Sequence, residues 1–199
     1  MSASLVLASS STIRQALLRN AGVSFTVDPA NIDEAAVKTA LRAENSLAET
    51  ASIELAARKA QAVSPRHPGA LVIGVDQILD DKGTWYDKPT DPAAAAKQIA
   101  ALAGHAHRLV NGLVVVENGA EVWRMANAVT LLMRPLSPAF IDGYVAKIGD
   151  AALKSVGGYQ LEGLGAQLFE RVDGDYFSVL GLPLLPLLAF LRRRGLIPE

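Results

Sequence analysis

This 199-residue sequence predicts an α/β fold built on a mixed sheet, and three observations point there. Short apolar runs at residues 5–8 and 70–79 read as buried strands. Segments with helical spacing of apolar residues separate the strands, as parallel pairing requires. Two long apolar stretches, 108–117 and 121–132, are joined by Asn118-Gly119, the strongest short hairpin signal, and so add antiparallel pairing.

Each element has a local reason. After the strand at 5–8, Ser11 is placed to cap a helix reaching about residue 21, with Ile13, Ala16, Leu17 and Ala21 on its inner face. Residues 23–27 alternate like a strand. Residues 35–42 and 46–62 follow as helices, the second carrying a Glu54–Arg58 pair at i,i+4 spacing. The loop at 64–69, "SPRHPG", leads into the clearest strand, "ALVIGVDQIL", and "DDKG" turns the chain. Asp91 starts a helix over 92–102, and Ser137 caps one running to about 148. Residues 157–165 are glycine-rich, 167–172 form a late strand, and 184–194 close the chain as a core helix. Pro183 stands near the start of that last helix, arginines load its final turn, and Gly195 ends it.

Composition excludes several classes. There are no cysteines, hence no disulfides and no thiolate metal site, which suits a reducing compartment. The net charge of −1 gives no basic field for nucleic acid, and no aromatic platform offsets that. The N-terminus lacks the basic start and long apolar run of a signal peptide. The most apolar stretch, 179–191, is broken by Pro183 and Pro186 and falls short of the roughly 20 residues a bilayer needs. The expected location is therefore the cytoplasm, and the expected organisation is one domain over 1–199.

The chemistry-bearing residues lie at element junctions. In "LVLASSSTIR", a strand meets a helix start, where free backbone N–H groups and the helix dipole favour anions. Ser9, Ser11 and Arg14 either hold a phosphate there or serve as ordinary capping and surface residues. The motif is no Walker loop, since GxxxxGK[ST] is absent, and no complete GxGxxG occurs. Asp76 sits amid apolar residues in "VIGVDQIL", where a carboxylate needs a partner, a cation or a catalytic reason. Gly74 shares its face and would leave room beside it; a turn-capping role for Asp76 is the alternative. Lys59 lies ~40° from Leu55 on its helix, able either to enter a cleft or to snorkel to solvent. Lys88, stiffened by Pro89, is either a phosphate partner or a solvated loop lysine. Asp33 and Glu34 precede a helix, suited both to its dipole and to Mg²⁺. His67, His105 and His107 read as structural, and no serine–histidine–acid pattern is visible.

Taken in order, "LVLASSSTIRQALL", "IDE", "ARKA", "VIGVDQIL", "DKP", "LAGHAHRLVNGLVVV", "GGYQLEGLG" and "VDGDYFSVLGLPL" resemble the Maf family of nucleoside triphosphate pyrophosphatases across nearly the whole chain. The resemblance implies an elongated mixed sheet flanked by helices, in two lobes with a central cleft. It implies hydrolysis between the α- and β-phosphates, a divalent cation such as Mg²⁺ or Mn²⁺, and a capacity to form homodimers. It makes Asp76 the base that activates water, Glu34 its metal-linked partner, and Lys59 and Lys88 the lysines that offset phosphate charge. Ser9, Ser11 and Arg14 match the phosphate-binding turn.

Three positions depart from the pattern common in the family and bear on substrate choice: Ile13, Gln77 and Glu162. The Gln77–Glu162 pair is similar to the branch that acts on 7-methyl-GTP and differs from the dTTP/UTP branch. A carboxylate at 162 can accept N–H bonds from a guanine-type edge. Ile13 stands where the 7-methyl-GTP branch tends to carry an aromatic, and it supplies no cation–π contact. A nucleotide-binding regulator of septum formation is the alternative from another class, since the family is also linked to cell division.

Overall fold

The computed structural model describes residues 4–199. A seven-stranded sheet has the order β2-β1-β3-β5-β6-β7, with β4 paired to β3, and helices flank it. The strands are β1 (Leu5–Leu7), β2 (Thr26–Val27), β3 (Leu71–Asp81), β4 (Thr84–Tyr86), β5 (Ala106–Glu117), β6 (Ala120–Met133) and β7 (Phe169–Asp173). The longer helices are α1 (Thr12–Asn20), α2 (Glu34–Ala43), α3 (Ala48–Val63), α4 (Pro92–Leu102), α5 (Pro138–Ile148) and α7 (Leu184–Arg193), with the short α6 at Tyr176–Val179. β1 runs parallel to β2 and β3, whereas β4 and β7 pair antiparallel with β3 and β6. The sheet is therefore mixed, as the hairpin signal predicted.

The caps fall where the sequence places them. Ser11 Oγ accepts from the Arg14 N–H, Asp33 Oδ1 from Ala36, Asp91 Oδ1 from Ala94 and Ser137 Oγ from Phe140. Asn118 and Gly119 both take positive φ, 51° and 81°, the backbone of a tight hairpin turn.

The chain divides into two compact units. One holds the chain through Gln77, with Asn111–Asn127 and Gly181–Glu199; the other holds Ile78–Val110 and Ala128–Leu180. In the first, Val6, Val72, Val114 and Val116 of the strands and Ala8 just after β1 pack with Ala56, Ala60 and Val63 of α3. In the second, Leu79, Leu109, Val129 and Leu131 pack with Ile99, Leu102, Ile141 and Tyr144. No described helix is long and apolar enough to cross a membrane.

Some local expectations need correction. Ala16 and Ala21 are exposed, and Leu18 is the buried residue of α1. A nine-residue helix at a sheet margin buries one narrow stripe, and its phase is set by the sheet rather than by periodicity. The strand expected over 23–27 shortens to two residues at the sheet edge. Beyond the "DDKG" turn the chain returns as β4, three residues long and too short for an alternation signal.

Gly74 does not create space beside Asp76. A Cβ there would stand 1.9 Å from the Ala56 carbonyl oxygen, so the missing side chain is filled by the α3 backbone. Gly112 on β5 does the same, with a would-be Cβ 2.1 Å from the Ser52 carbonyl carbon. The inner face of α3 is built of small residues, Ala48, Ala51, Ser52, Ala56 and Ala60, which completes the close approach. Two glycines and a small-residue helix face thus set α3 directly on β3 and β5.

Candidate active site

The close seating of α3 delivers Lys59 to Asp76. Lys59 continues the buried stripe one turn beyond Leu55, and only 8% of it is exposed. Its Nζ donates to Asp76 Oδ1 at 2.6 Å and lies 3.0 Å from Glu34 Oε1. Asp76, on β3, is itself 4% exposed. The second oxygen, Oδ2, is buried and has no hydrogen-bond partner. A carboxylate oxygen that no protein donor reaches can accept from a water or take a cation.

The acidic pair before α2 splits by role. Asp33 is the cap, while Glu34, the first helical residue, turns its carboxylate to Lys59. One ammonium is thus shared between a buried carboxylate and a half-exposed one.

The turn from β1 to α1 lies in the same unit. Ser9 Oγ accepts from the Ser11 N–H at 3.3 Å and from Arg14 Nη1 at 3.2 Å. Arg14 also donates through Nη1 to the Val75 carbonyl at 3.2 Å and through Nε to the Gly181 carbonyl at 2.8 Å. Burial pushes the guanidinium below its ordinary range, and the charges of Asp76 and Glu34 oppose that shift. Arg14 therefore clasps three segments that meet at the turn: the residue before Asp76, the loop at Gly181, and Ser9. The first N–H groups of α1, at Thr12 and Ile13, have no intrahelical acceptor, as at any helix start.

Gln77 follows Asp76 on β3 and donates from Nε2 to Asn111 Oδ1 at 3.2 Å, and Asn111 donates to Asn127 Oδ1. A Cβ on Gly181 would lie 3.4 Å from Arg14 Nη2 and 3.6 Å from the Gln77 amide carbon, so Gly181 packs against both. Ile13 is partly buried on α1. Ser9, Ser11, Ile13, Arg14, Glu34, Lys59, Asp76 and Gln77 all belong to the first unit. Lys88 and Glu162 belong to the second, Lys88 exposed in the loop after β4 and Glu162 exposed in the glycine-rich segment.

Asn111, Gly112 and Gly181 were not anticipated from the sequence. "VNG" and "VLGLP" carry a glycine or an amide inside apolar runs, which is the signal that marks close backbone approach or a buried polar partner. The three histidines are structural in their contacts: His67 meets Asp28 at 2.8 Å, His105 meets Asp81 at 3.1 Å, and His107 meets Tyr159 at 2.7 Å.

The donor set suits a divalent cation in one mode. Among the described residues no three of His, Asp and Glu group as a metal cage. Two neighbouring carboxylates, Glu34 and Asp76, fit the way Mg²⁺ is commonly held, by one or two acids plus substrate phosphates. The charges agree: Lys59 and Arg14 only balance Asp76 and Glu34, so a polyphosphate arriving here needs further positive charge.

An α/β protein with a buried, lysine-paired aspartate beside a serine-lined helix start belongs to a class suited to phosphate chemistry. The Maf-like protein family model matches residues 4–194, and the chain belongs to that family. It is 50% identical to a nucleoside triphosphate pyrophosphatase of Paramagnetospirillum magneticum, over 97% of this chain and 100% of that protein. It is 47% identical to a 7-methyl-GTP pyrophosphatase of Rhizobium etli and 46% to one of Brucella abortus, over 99% of each chain in both cases.

Proposed function

We propose that this chain, as one domain over residues 1–199, hydrolyses nucleoside triphosphates between the α- and β-phosphates, releasing a nucleoside monophosphate and pyrophosphate. The observation that carries this reading is Asp76 Oδ2, a buried carboxylate oxygen with no partner beside one that Lys59 holds. A protein that merely senses nucleotides needs no such base. The names of the full-length relatives support the same activity.

In this mechanism Asp76 Oδ2 takes a proton from water, and the water oxygen forms a bond to the α-phosphorus. The bond from that phosphorus to the bridging oxygen breaks, and its electron pair leaves with pyrophosphate. Lys59 fixes the carboxylate so that Oδ2 faces the water, a positioning effect that phosphoryl transfer depends on. Ser9, Ser11 and the start of α1 receive phosphate oxygens, while Arg14 keeps that turn in place. Lys88 adds positive charge to the phosphates. Glu34 and the Lys59-bound side of the Asp76 carboxylate would hold the divalent cation, Mg²⁺ or Mn²⁺, which when bound neutralises phosphate charge, and Oδ2 is left to the water.

For the base, we favour 7-methyl-GTP-like and other modified nucleotides over dTTP and UTP. Gln77 and Glu162 supply polar contacts to the base edge, Ile13 an apolar one, and the relatives named 7-methyl-GTP pyrophosphatase support this choice. The enzyme so described works in the cytoplasm, alone or as a homodimer, and clears such nucleotides from the pool. The test is a panel of canonical and modified nucleoside triphosphates, with Mg²⁺ and with Mn²⁺, assayed for pyrophosphate. Pyrophosphate release fastest from 7-methyl-GTP is expected. Release of inorganic phosphate instead, or of nothing from any substrate, would overturn the reading.

A further inference from the structure

The second unit holds a buried polar pair that the chemistry above does not use. His107, on β5, is 2% exposed and Tyr159 is 4% exposed. His107 Nε2 and Tyr159 Oη lie 2.7 Å apart, and Phe169 packs edge-on against the Tyr159 ring at 4.9 Å. Tyr159 opens the "YQLEG" stretch, three residues before Glu162.

The bond joins a neutral imidazole to an un-ionised phenol. Burial lowers the His107 pKa to about 4, so the ring is neutral at physiological pH, with one donor and one acceptor nitrogen. Nδ1 is buried without a partner, and so is Asp81 Oδ1, whose carboxylate acts electrostatically on this imidazole. With the proton on Nδ1, Nε2 accepts from the phenol. Burial raises Tyr159 far above the ordinary phenol range, so it remains an O–H donor.

The rest of the segment is tied through its backbone. The Tyr159 carbonyl accepts from Ser155 Oγ at 2.5 Å, the Gly158 carbonyl from Tyr144 Oη at 3.4 Å, and the Gly157 N–H donates to Gln98 Oε1 at 3.1 Å. Glu162 lies close enough to Tyr144 for its charge to act on that phenol. A run this rich in glycine has little stiffness of its own, so its conformation comes from such tethers. The His107–Tyr159 bond grips a side chain of the segment from the core strand β5.

We propose that His107 and Tyr159 are positioning residues for substrate choice: their buried hydrogen bond holds the segment that carries Glu162, and so sets where that carboxylate meets the base. This rests on the pyrophosphatase reading above. The experiment compares the full chain with Tyr159→Phe, His107→Leu and His107→Gln, measuring kcat and KM on 7-methyl-GTP, GTP, dTTP and UTP. Amide hydrogen exchange over residues 155–165 is followed in the same proteins.

Tyr159→Phe keeps the ring packing, so it carries the test if His107→Leu does not fold. In both, the kcat/KM ratio between the best and next-best nucleotide falls by about fivefold, mostly through KM, the scale set by one buried hydrogen bond. The amides of the segment exchange faster while those of β5 do not. His107→Gln, which restores an acceptor near the Nε2 position, recovers the ratio. A lowered melting temperature with the ratio unchanged in Tyr159→Phe overturns the proposal, and so does unchanged exchange across the segment. Absence of pyrophosphate release by the unmodified chain overturns the pyrophosphatase reading itself, and the selection role with it.

Discussion

Lys59 Nζ stands 2.6 Å from Asp76 Oδ1 inside the fold, and the opposite oxygen of that carboxylate is left without a donor. One half of the aspartate is fixed by charge and the other half is buried without a protein donor. Two glycines bring this about, because they let α3 rest on the strands closely enough for a lysine to reach.

Asp76→Asn keeps the shape and removes the base. Pyrophosphate release is expected to fall by about 10²- to 10⁴-fold, the range for losing a general base. The circular dichroism spectrum should stay native-like. Turnover equal to the unmodified chain would take Asp76 out of the mechanism.

Lys59→Met should damage folding as well as activity. It leaves Asp76 buried without its cation, a loss on the order of 3–5 kcal/mol in urea unfolding. Adding Asp76→Asn to it should recover part of that stability and none of the activity, since the buried charge is gone but so is the base. A double variant less stable than Lys59→Met alone would contradict this account.

Gly74→Ala and Gly112→Ala each place a methyl group into the α3 backbone. Neither neighbour is a flexible side-chain end, so the helix must move. Each substitution should cost about 3 kcal/mol or more, at the upper end for overpacking. Thermal melts of both variants check this, and a native melting temperature in either would mean that α3 sits farther from the sheet.

Acid should weaken the fold through His107. Its folded pKa, about 4, lies below the ordinary 6.5, so between these values the unfolded chain binds the extra proton more readily. The contribution is fully present above pH 6.5, shrinks as pH falls, and is lost as pH passes through about 4. It amounts to about 3 kcal/mol. Urea unfolding across this range should show stability rising with pH, and His107→Leu should flatten that slope.

Glu162→Gln should shift preference away from guanine-type bases, because an amide replaces the acceptor that takes two N–H bonds from that edge. The nucleotide panel reads this directly. An unchanged order of substrates would remove Glu162 from the base contact.

Much of the local structure was legible. Ser11, Asp91 and Ser137 announce their helices, because a cap is a bond between residues three apart. Asn118-Gly119 announced its hairpin for the same local reason. Lys59 was ambiguous: one residue at the margin of an apolar stripe can face in or out, and only the strand beneath it decides. Ala16 and Ala21 misled, since a short helix with apolar residues on two sides has no unique inner face.

Arg14 shows the limit most plainly. Its type and place offer a phosphate ligand or a surface residue, and neither reading contains its bonds to one carbonyl 167 residues away and another 61 away. Gly74 marks a close approach in the sequence but not its partner, because a missing side chain says that something comes close and not what.

The sequence by itself determined the order of the longer strands and helices, the capped helix starts, the hairpin, and which ionisable residues are too expensive to bury without purpose. Those follow from hydrogen bonds and periodicities that span a few residues. The tertiary structure alone decided that one lysine serves both Glu34 and Asp76, that Arg14 closes the turn, and that α3 rides on two glycines. These contacts join distant parts of the chain, and their energy depends on how closely two backbones can approach, a quantity that no short window of residues contains.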